Sequence, residues 1–325
     1  MRVQQGFQAL SKARVLVTGA TGFVGKALLP KLVAAGFRIC AVSRSPVKAA
    51  GDAAAIEWQS CRDIGDASLD GCDTLIHLAA RVHVMRETAG DALAAFRQVN
   101  VVLTERLARR AVAAGVRRFV FLSSIKVNGE ETRPGRPFFA DDVPAPEDAY
   151  GLSKCEAELV LRQIAEESGM EVVVIRTPLV YGPGVKGNFR SMLDWVRRGI
   201  PLPLASLDNR RSLVGVDNLC DLILTCITHH KAADQTFLVS DDQDLSTSEL
   251  LRMAADALGR PARLWPCSSA LLEQMARLLG KGEIARRLCG NLQVDIGKTK
   301  SMLSWAPPVT AQEGFRRIFD DRSAE

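Results

Sequence analysis

Tyr150 and Lys154 stand four residues apart, a spacing that puts both side chains on one face of a helix. A lysine cation beside a phenol stabilises the tyrosinate and draws the phenol pKa from its usual ~10 toward neutrality. A tyrosine tuned in that way gives a proton to a carbonyl oxygen, or takes one from a hydroxyl, near pH 7. Ser124 closes the apolar run Arg118-Phe-Val-Phe-Leu-Ser-Ser124 and can hydrogen-bond the same oxygen, fixing its position. These three are the candidate catalytic residues. A Tyr-x-x-x-Lys pair alone is common as an exposed helix pair. The serine-ended strand before it and a glycine turn near the start of the chain give this one its weight.

That glycine turn lies in Val15-Leu-Val-Thr-Gly-Ala-Thr-Gly-Phe-Val-Gly25. Val15 to Val17 reads as a short buried strand, and Val24, Leu28, Leu29, Leu32 and Val33 recur with helical period behind it. Strand, turn and helix make the first βα unit of a dinucleotide-binding fold. Its pyrophosphate would sit on the free N–H groups and positive dipole end of the helix. The spacing is Gly-x-x-Gly-x-x-Gly, and the candidate cofactor contacts are Gly19, Thr21, Gly22, Phe23, Val24 and Gly25. The helix should run from about Gly22 to Ala35 and stop at Gly36, with Pro30 forcing a kink or local readjustment. The second strand, Phe37 to Val42, ends in Ser43-Arg44. An acid at this strand end binds a ribose 2′-hydroxyl, whereas an arginine accommodates a 2′-phosphate. With no acid present, Arg44 and nearby Lys48 favour NADP(H), and NAD(H) stays possible.

Further strands are expected at 56–58, 74–80, 118–124 and 171–176, with Leu78, Ala79 and Ala80 on the cofactor side of the sheet. Long helices are expected over 91–114 and 148–168. Strands alternating with helices through residue 176 mean an α/β fold with a doubly wound parallel sheet. Residues 14–180 would form the cofactor domain. Residues 181–325 would form mainly a smaller substrate lobe, from which a strand near 236–240 returns to the sheet. Helices near 189–198, 219–227, 247–258 and 268–279 fill that lobe, while residues 128–148 read as an irregular loop. His77, in an apolar strand, reads as a structural histidine.

Composition narrows the function. The 325 residues are 47% hydrophobic and 24% charged, with a net charge of +5 carried partly by scattered arginine doublets. No basic block reads as a nucleic-acid patch, and no apolar run is long enough to insert in a membrane. Residues 1–13 read as a loose extension without the apolar core of a signal peptide. Eight cysteines lack any Cys-x-x-Cys, and the four histidines offer no metal-ligand spacing with them. No metal is expected, and buried thiols in a reducing cytoplasm are the plain reading.

The glycine turn, Ser123-Ser-Ile-Lys-Val-Asn-Gly129, Tyr150-Gly-Leu-Ser-Lys154 and Arg176-Thr-Pro-Leu-Val-Tyr-Gly-Pro-Gly184 resemble the extended branch of the short-chain dehydrogenase/reductase superfamily. Within that Rossmann-type branch they are similar to the nucleotide-sugar epimerase/dehydratase/reductase group, over about Arg14 to Phe319. The resemblance implies that Asp63 and Ile64 lie beside the adenine. It also implies that Asn100 supports the active-site backbone and that the loop with Pro178 lies beside the nicotinamide. Lys154 would also hold the nicotinamide ribose. Arg211 matches the arginine used on the substrate pyrophosphate, a task suited to a permanently charged, bidentate guanidinium, and Asn188 a second polar contact. Dehydratases of the group carry Thr-Asp-Glu at the serine position. This chain has Ser124-Ile125-Lys126, which disfavours dehydration.

The activity so implied is reduction at C4 of a UDP-4-keto-6-deoxy-N-acetylhexosamine for surface polysaccharide (O-antigen) synthesis. The alternative is a UDP-glucose or UDP-N-acetylglucosamine 4-epimerase that keeps NAD tightly bound. A redox-sensing module is disfavoured because such members commonly lack the Tyr/Lys pair. Related enzymes pair two long helices per subunit, which makes a homodimer the expected assembly.

Overall fold

The computed structural model describes residues 13–47, 56–82, 91–278, 280 and 282–320. Strand β1 (Arg14–Thr18) leads through the glycine turn into α1 (Phe23–Ala34), and β2 (Arg38–Ser43) and β3 (Ile56–Ser60) extend the sheet outward. β4 (Thr74–His77) is followed by α2 (Ala92–Arg97), a π-helical turn Gln98–Val102 and α3 (Leu103–Ala113). β5 (Arg118–Ser124), α4 (Ala149–Ser168) and β6 (Glu171–Thr177) complete the alternation. The expected 91–114 helix is therefore not uniform, and its wide turn contains Asn100. β4 stops at His77, which leaves Leu78, Ala79 and Ala80 as the loop leaving it. α1 continues past Pro30, whose ring takes away only the bond that the Lys26 carbonyl would have accepted.

The seven-stranded sheet runs β3-β2-β1-β4-β5-β6-β9, every pair parallel. Both faces of a parallel sheet are covered, so its strands are apolar throughout rather than alternating. One face packs Leu28, Leu29 and Leu32 of α1 with Leu219, Leu222, Ile223 and Cys226. The other packs Leu107, Ala108, Leu161 and Ile164 over Leu16, Leu75, Phe119 and Phe121.

Beyond β6 come β7 (Leu179–Tyr181), α5 (Gly187–Arg197), β8 (Arg211–Gly215), α6 (Val216–Thr228), β9 (Thr236–Leu238) and β10 (Asp244–Leu245). The chain ends in α7 (Thr247–Ala257), α8 (Ser269–Leu278), α9 (Gly282–Cys289), α10 (Gly297–Leu303) and α11 (Ala311–Asp320). β9 returns to the main sheet beside β6, and α6 lies against α1 on one of its faces. Strands β10, β8 and β7 form a small second sheet, over which Tyr181, Phe189, Leu213, Leu251 and Phe315 make a separate core. Inside that core the Tyr181 hydroxyl donates to Asp241 at 2.6 Å, and Asp241 also accepts from Asn218 and the Gly215 N–H. Burial and the neighbouring Asp241 carboxylate push the Tyr181 phenol far above its ordinary value. No disulfide joins any of the eight cysteines, all of which lie among the described residues. Among the described residues no helix is long and apolar enough to cross a membrane, and no cluster could hold a metal ion.

Candidate active site

Gly19 takes φ +70°, and a Cβ there would lie 2.7 Å from Ala79 N, so only glycine lets β1 meet the end of β4 this closely. A Cβ on Gly25 would collide with the carbonyl oxygens of Gly19 and Ala20. Gly22 caps α1 without any side-chain hydrogen bond, while Thr21 and Gly22 are exposed at the turn and Phe23 and Val24 begin the helix. A backbone cradle of this kind, with uncapped first-turn N–H groups, fits a dinucleotide pyrophosphate. The residues read from sequence as cofactor contacts are thus brought together: the turn from Gly19 to Gly25 faces the loop carrying Leu78, Ala79 and Ala80.

That loop is fixed by Asn100. Its amide oxygen accepts the Arg81 N–H at 2.8 Å, and its amide nitrogen donates to the Arg81 carbonyl at 3.1 Å and to Ser153 Oγ at 2.9 Å. Ser153 in turn donates to the Tyr150 carbonyl at 2.8 Å. A π-helical turn places the asparagine where it can bind the Arg81 backbone and the helix carrying Tyr150 at once. His77 is fully buried with both ring nitrogens engaged, Nδ1 with Thr18 at 2.7 Å and Nε2 with Thr104 at 3.0 Å. Burial, with the Lys154 charge adding to it, lowers its pKa to about 3, so it is a neutral structural group.

Ser124 ends β5 and Tyr150 lies in the first turn of α4, whose N-cap Asp148 accepts the Gly151 N–H at 2.6 Å. Ser124 lies beside the phenol and acts to lower its pKa. Lys154, one turn on, is buried; it donates to the Leu122 carbonyl at 2.7 Å and stands 4.2 Å from the Phe121 ring centre. Its pKa is lowered to about 7 by burial, with the Glu158 carboxylate acting the other way. The expected lowering of the phenol is not found. Burial pushes Tyr150 up to about 12, Asp148 adds to this, and Ser124 opposes it. In this state the lysine ammonium is turned to strand β5 rather than to the phenol.

Behind the serine lies a polar cluster that the sequence did not announce. Ser123 donates to Glu158 at 2.5 Å, Glu158 receives Arg176 Nη2 at 2.7 Å, and Arg176 Nη1 donates to Asn128 at 2.9 Å. All four are buried. Their partners are 18 to 48 residues apart in the chain, and the only cue was charge inside apolar stretches.

The remaining candidates are spread along the cofactor and substrate ends. Asp63 caps the short turn Ile64–Asp66 and is ion-paired with Arg106, which holds its carboxyl below the usual range; Ile64 packs against the core. Arg44 is exposed at the end of β2, and Lys48 lies outside the described residues, as does the extension 1–12. Pro178 is buried between β6 and β7. Arg211 opens β8, and its Nη1 donates to the Gly290 carbonyl at 3.1 Å. Asn188 is exposed in the first turn of α5.

Residues 15–240 match the family model described as NAD dependent epimerase/dehydratase family. The chain is 47% identical to the UDP-glucose 4-epimerase of Vibrio cholerae, over 93% of each chain. It is similar to a solved structure of MoeE5 in complex with UDP-glucuronic acid and NAD, with 25% identity, a TM-score of 0.75 and coverage of 96% of this chain and 100% of that one. The UDP-N-acetylglucosamine 4-epimerase from Bacillus cereus shares the fold, with a TM-score of 0.77 at 18% identity over 96% and 97% of the two chains. The chain belongs to the NAD dependent epimerase/dehydratase family, the nucleotide-sugar group of the extended short-chain dehydrogenases/reductases.

Proposed function

We propose that this protein is a cytoplasmic UDP-hexose 4-epimerase that retains NAD(H). The observation that carries this reading is the 47% identity to a UDP-glucose 4-epimerase, nearly end to end. It departs from the C4 reduction that the motifs alone put first. NAD supplies a hydride acceptor and donor at the nicotinamide. Tyr150 takes the proton of the C4 hydroxyl as the carbonyl forms and, once the sugar has turned its other face to the nicotinamide, returns a proton to the C4 oxygen. Ser124 hydrogen-bonds the same oxygen in both half-reactions. Lys154 holds the nicotinamide ribose, Arg211 pairs with the substrate pyrophosphate, and Asn188 adds a polar contact.

The test is conversion of UDP-glucose or UDP-N-acetylglucosamine to its C4 epimer without added cofactor, with NAD released on denaturing the purified protein. A protein that leaves both sugars unchanged yet consumes NADPH with a UDP-4-keto-6-deoxy sugar would be a reductase. That second reading keeps one supporting observation: the end of β2 carries exposed Arg44 and no acid.

The assembly proposed is a homodimer through the helices of residues 92–113 and 149–168. Two large apolar side chains on these helices, Val102 at 48% and Leu159 at 57% exposure, face outward on the single chain.

A further inference from the structure

Lys126 lies two residues past Ser124, in the 3₁₀ turn Ile125–Val127. Its N–H donates to Ser124 Oγ at 3.3 Å. Its carbonyl oxygen lies so near Gly151, in the first turn of α4, that a Cβ there would come within 2.6 Å. Its ammonium donates to Glu130 at 2.6 Å and to Asp148 at 2.5 Å. Glu130 is held from the other side by Arg286 of α9 at 3.2 Å, and its N–H donates to Glu147. One side chain thus ties the segment carrying Ser124 to the N-cap of the helix carrying Tyr150.

We propose that Lys126 is the positioning residue of this site: through Asp148 it fixes the Ser124 turn against the Tyr150 helix and neutralises the carboxylate that faces the phenol. The idea rests on the reading of Tyr150 as the proton-transfer group. Burial pushes the Asp148 carboxyl up, and the bonds from Lys126 and the Gly151 N–H more than reverse this, so it stays charged. An unneutralised carboxylate there would oppose tyrosinate formation. The charged groups around the phenol are Asp148 and Lys154 from α4, and Lys126 and Glu130 from the turn after β5. Glu147 joins them from the preceding loop, and Arg81 stands over Phe96, whose ring meets Tyr150 edge-on. Among the described residues, only Lys126 bonds directly to Asp148 with a positive charge.

The experiment reads the phenol without turnover. The chain has two tyrosines, and burial together with Asp241 holds Tyr181 far up, so tyrosinate absorbance at a fixed alkaline pH reports Tyr150. Tyr150→Phe must remove that signal. Lys126→Met should lower it up to about tenfold, corresponding to a rise of about one pH unit in the midpoint. Lys126→Arg should restore it, and Asp148→Asn, which keeps a good helix cap, should raise it. In turnover, Lys126→Met should lower kcat about tenfold and shift its pH profile upward, with KM changed little. Should Lys126→Met not fold, Asp148→Asn alone still decides. An unchanged tyrosinate signal in the folded Lys126→Met protein, or in Asp148→Asn, overturns the proposal. The absorbance test stands whether or not UDP-hexoses are the substrates.

Discussion

The Lys154 ammonium donates to the Leu122 carbonyl oxygen at 2.7 Å across the interface between α4 and β5. Its burial lowers the pKa to about 7, from 10.5 ordinarily. Between those values the unfolded chain binds a proton that the folded chain has released. Stability therefore rises with pH over that window on this group's account, and the penalty is complete below about 7. Lys154→Met should remove that slope. Urea midpoints of the two proteins, measured across pH 7 to 10, should converge toward the alkaline end; parallel curves would place the ammonium in a wetter site.

Tyr150→Phe removes one hydroxyl and keeps the ring that meets Phe96 edge-on. Folding and cofactor retention should survive while epimerisation falls by about 10²–10⁴-fold, the usual worth of a general acid–base. A variant within a few-fold of the wild type would mean that another group carries the proton.

Glu158→Ala should be severe. It strands Arg176, which is 1% exposed, and takes the acceptor from Ser123, next to the candidate catalytic Ser124. Breaking one partner of a buried pair costs about 3–5 kcal/mol. Chemical denaturation should show a loss of that order, and a loss below about 1 kcal/mol would mean that water reaches the guanidinium.

Arg44→Ala bears only on cofactor choice. With NAD(H) the bound form, the substitution should leave NAD retention intact and weaken added NADPH alone, read by competitive titration. Equal loss of both would separate the arginine from the 2′-position.

Leu159→Arg puts a charge in the middle of the proposed subunit contact. Light scattering at micromolar concentration should give a dimer for the wild type and a monomer for the variant. A wild-type monomer removes the contact altogether.

The parts of the site made from neighbours in sequence were legible. Gly19, Gly22 and Gly25 announce a turn because each spacing is local, and Tyr150 and Lys154 announce a shared face for the same reason. The seven parallel strands followed from apolar runs alternating with helical ones, including the late return of β9. What stayed hidden depends on partners far along the chain. The small sheet of β7, β8 and β10 consists of strands of two to five residues, too short for a period to show. Lys126 looked like a mere departure from an acid-bearing motif, because Asp148 lies 22 residues away. The direction of the Lys154 ammonium, and with it the upward shift of the phenol, depends on burial that no spacing records.

The wide turn at Gln98–Val102 has one more implication. A π-turn is an α-helix carrying one surplus residue, and each residue turns a helix by roughly 100°. Excising a single residue here would give a more regular helix and a worse protein. The wide turn absorbs the surplus residue, so Leu107 and Ala111 would keep their places in the core, but Asn100 would lose its position and the anchor on Arg81 would go. In this stretch chain length is itself under constraint. Point substitutions at exposed positions such as Gln98 should be tolerated where a one-residue deletion is not.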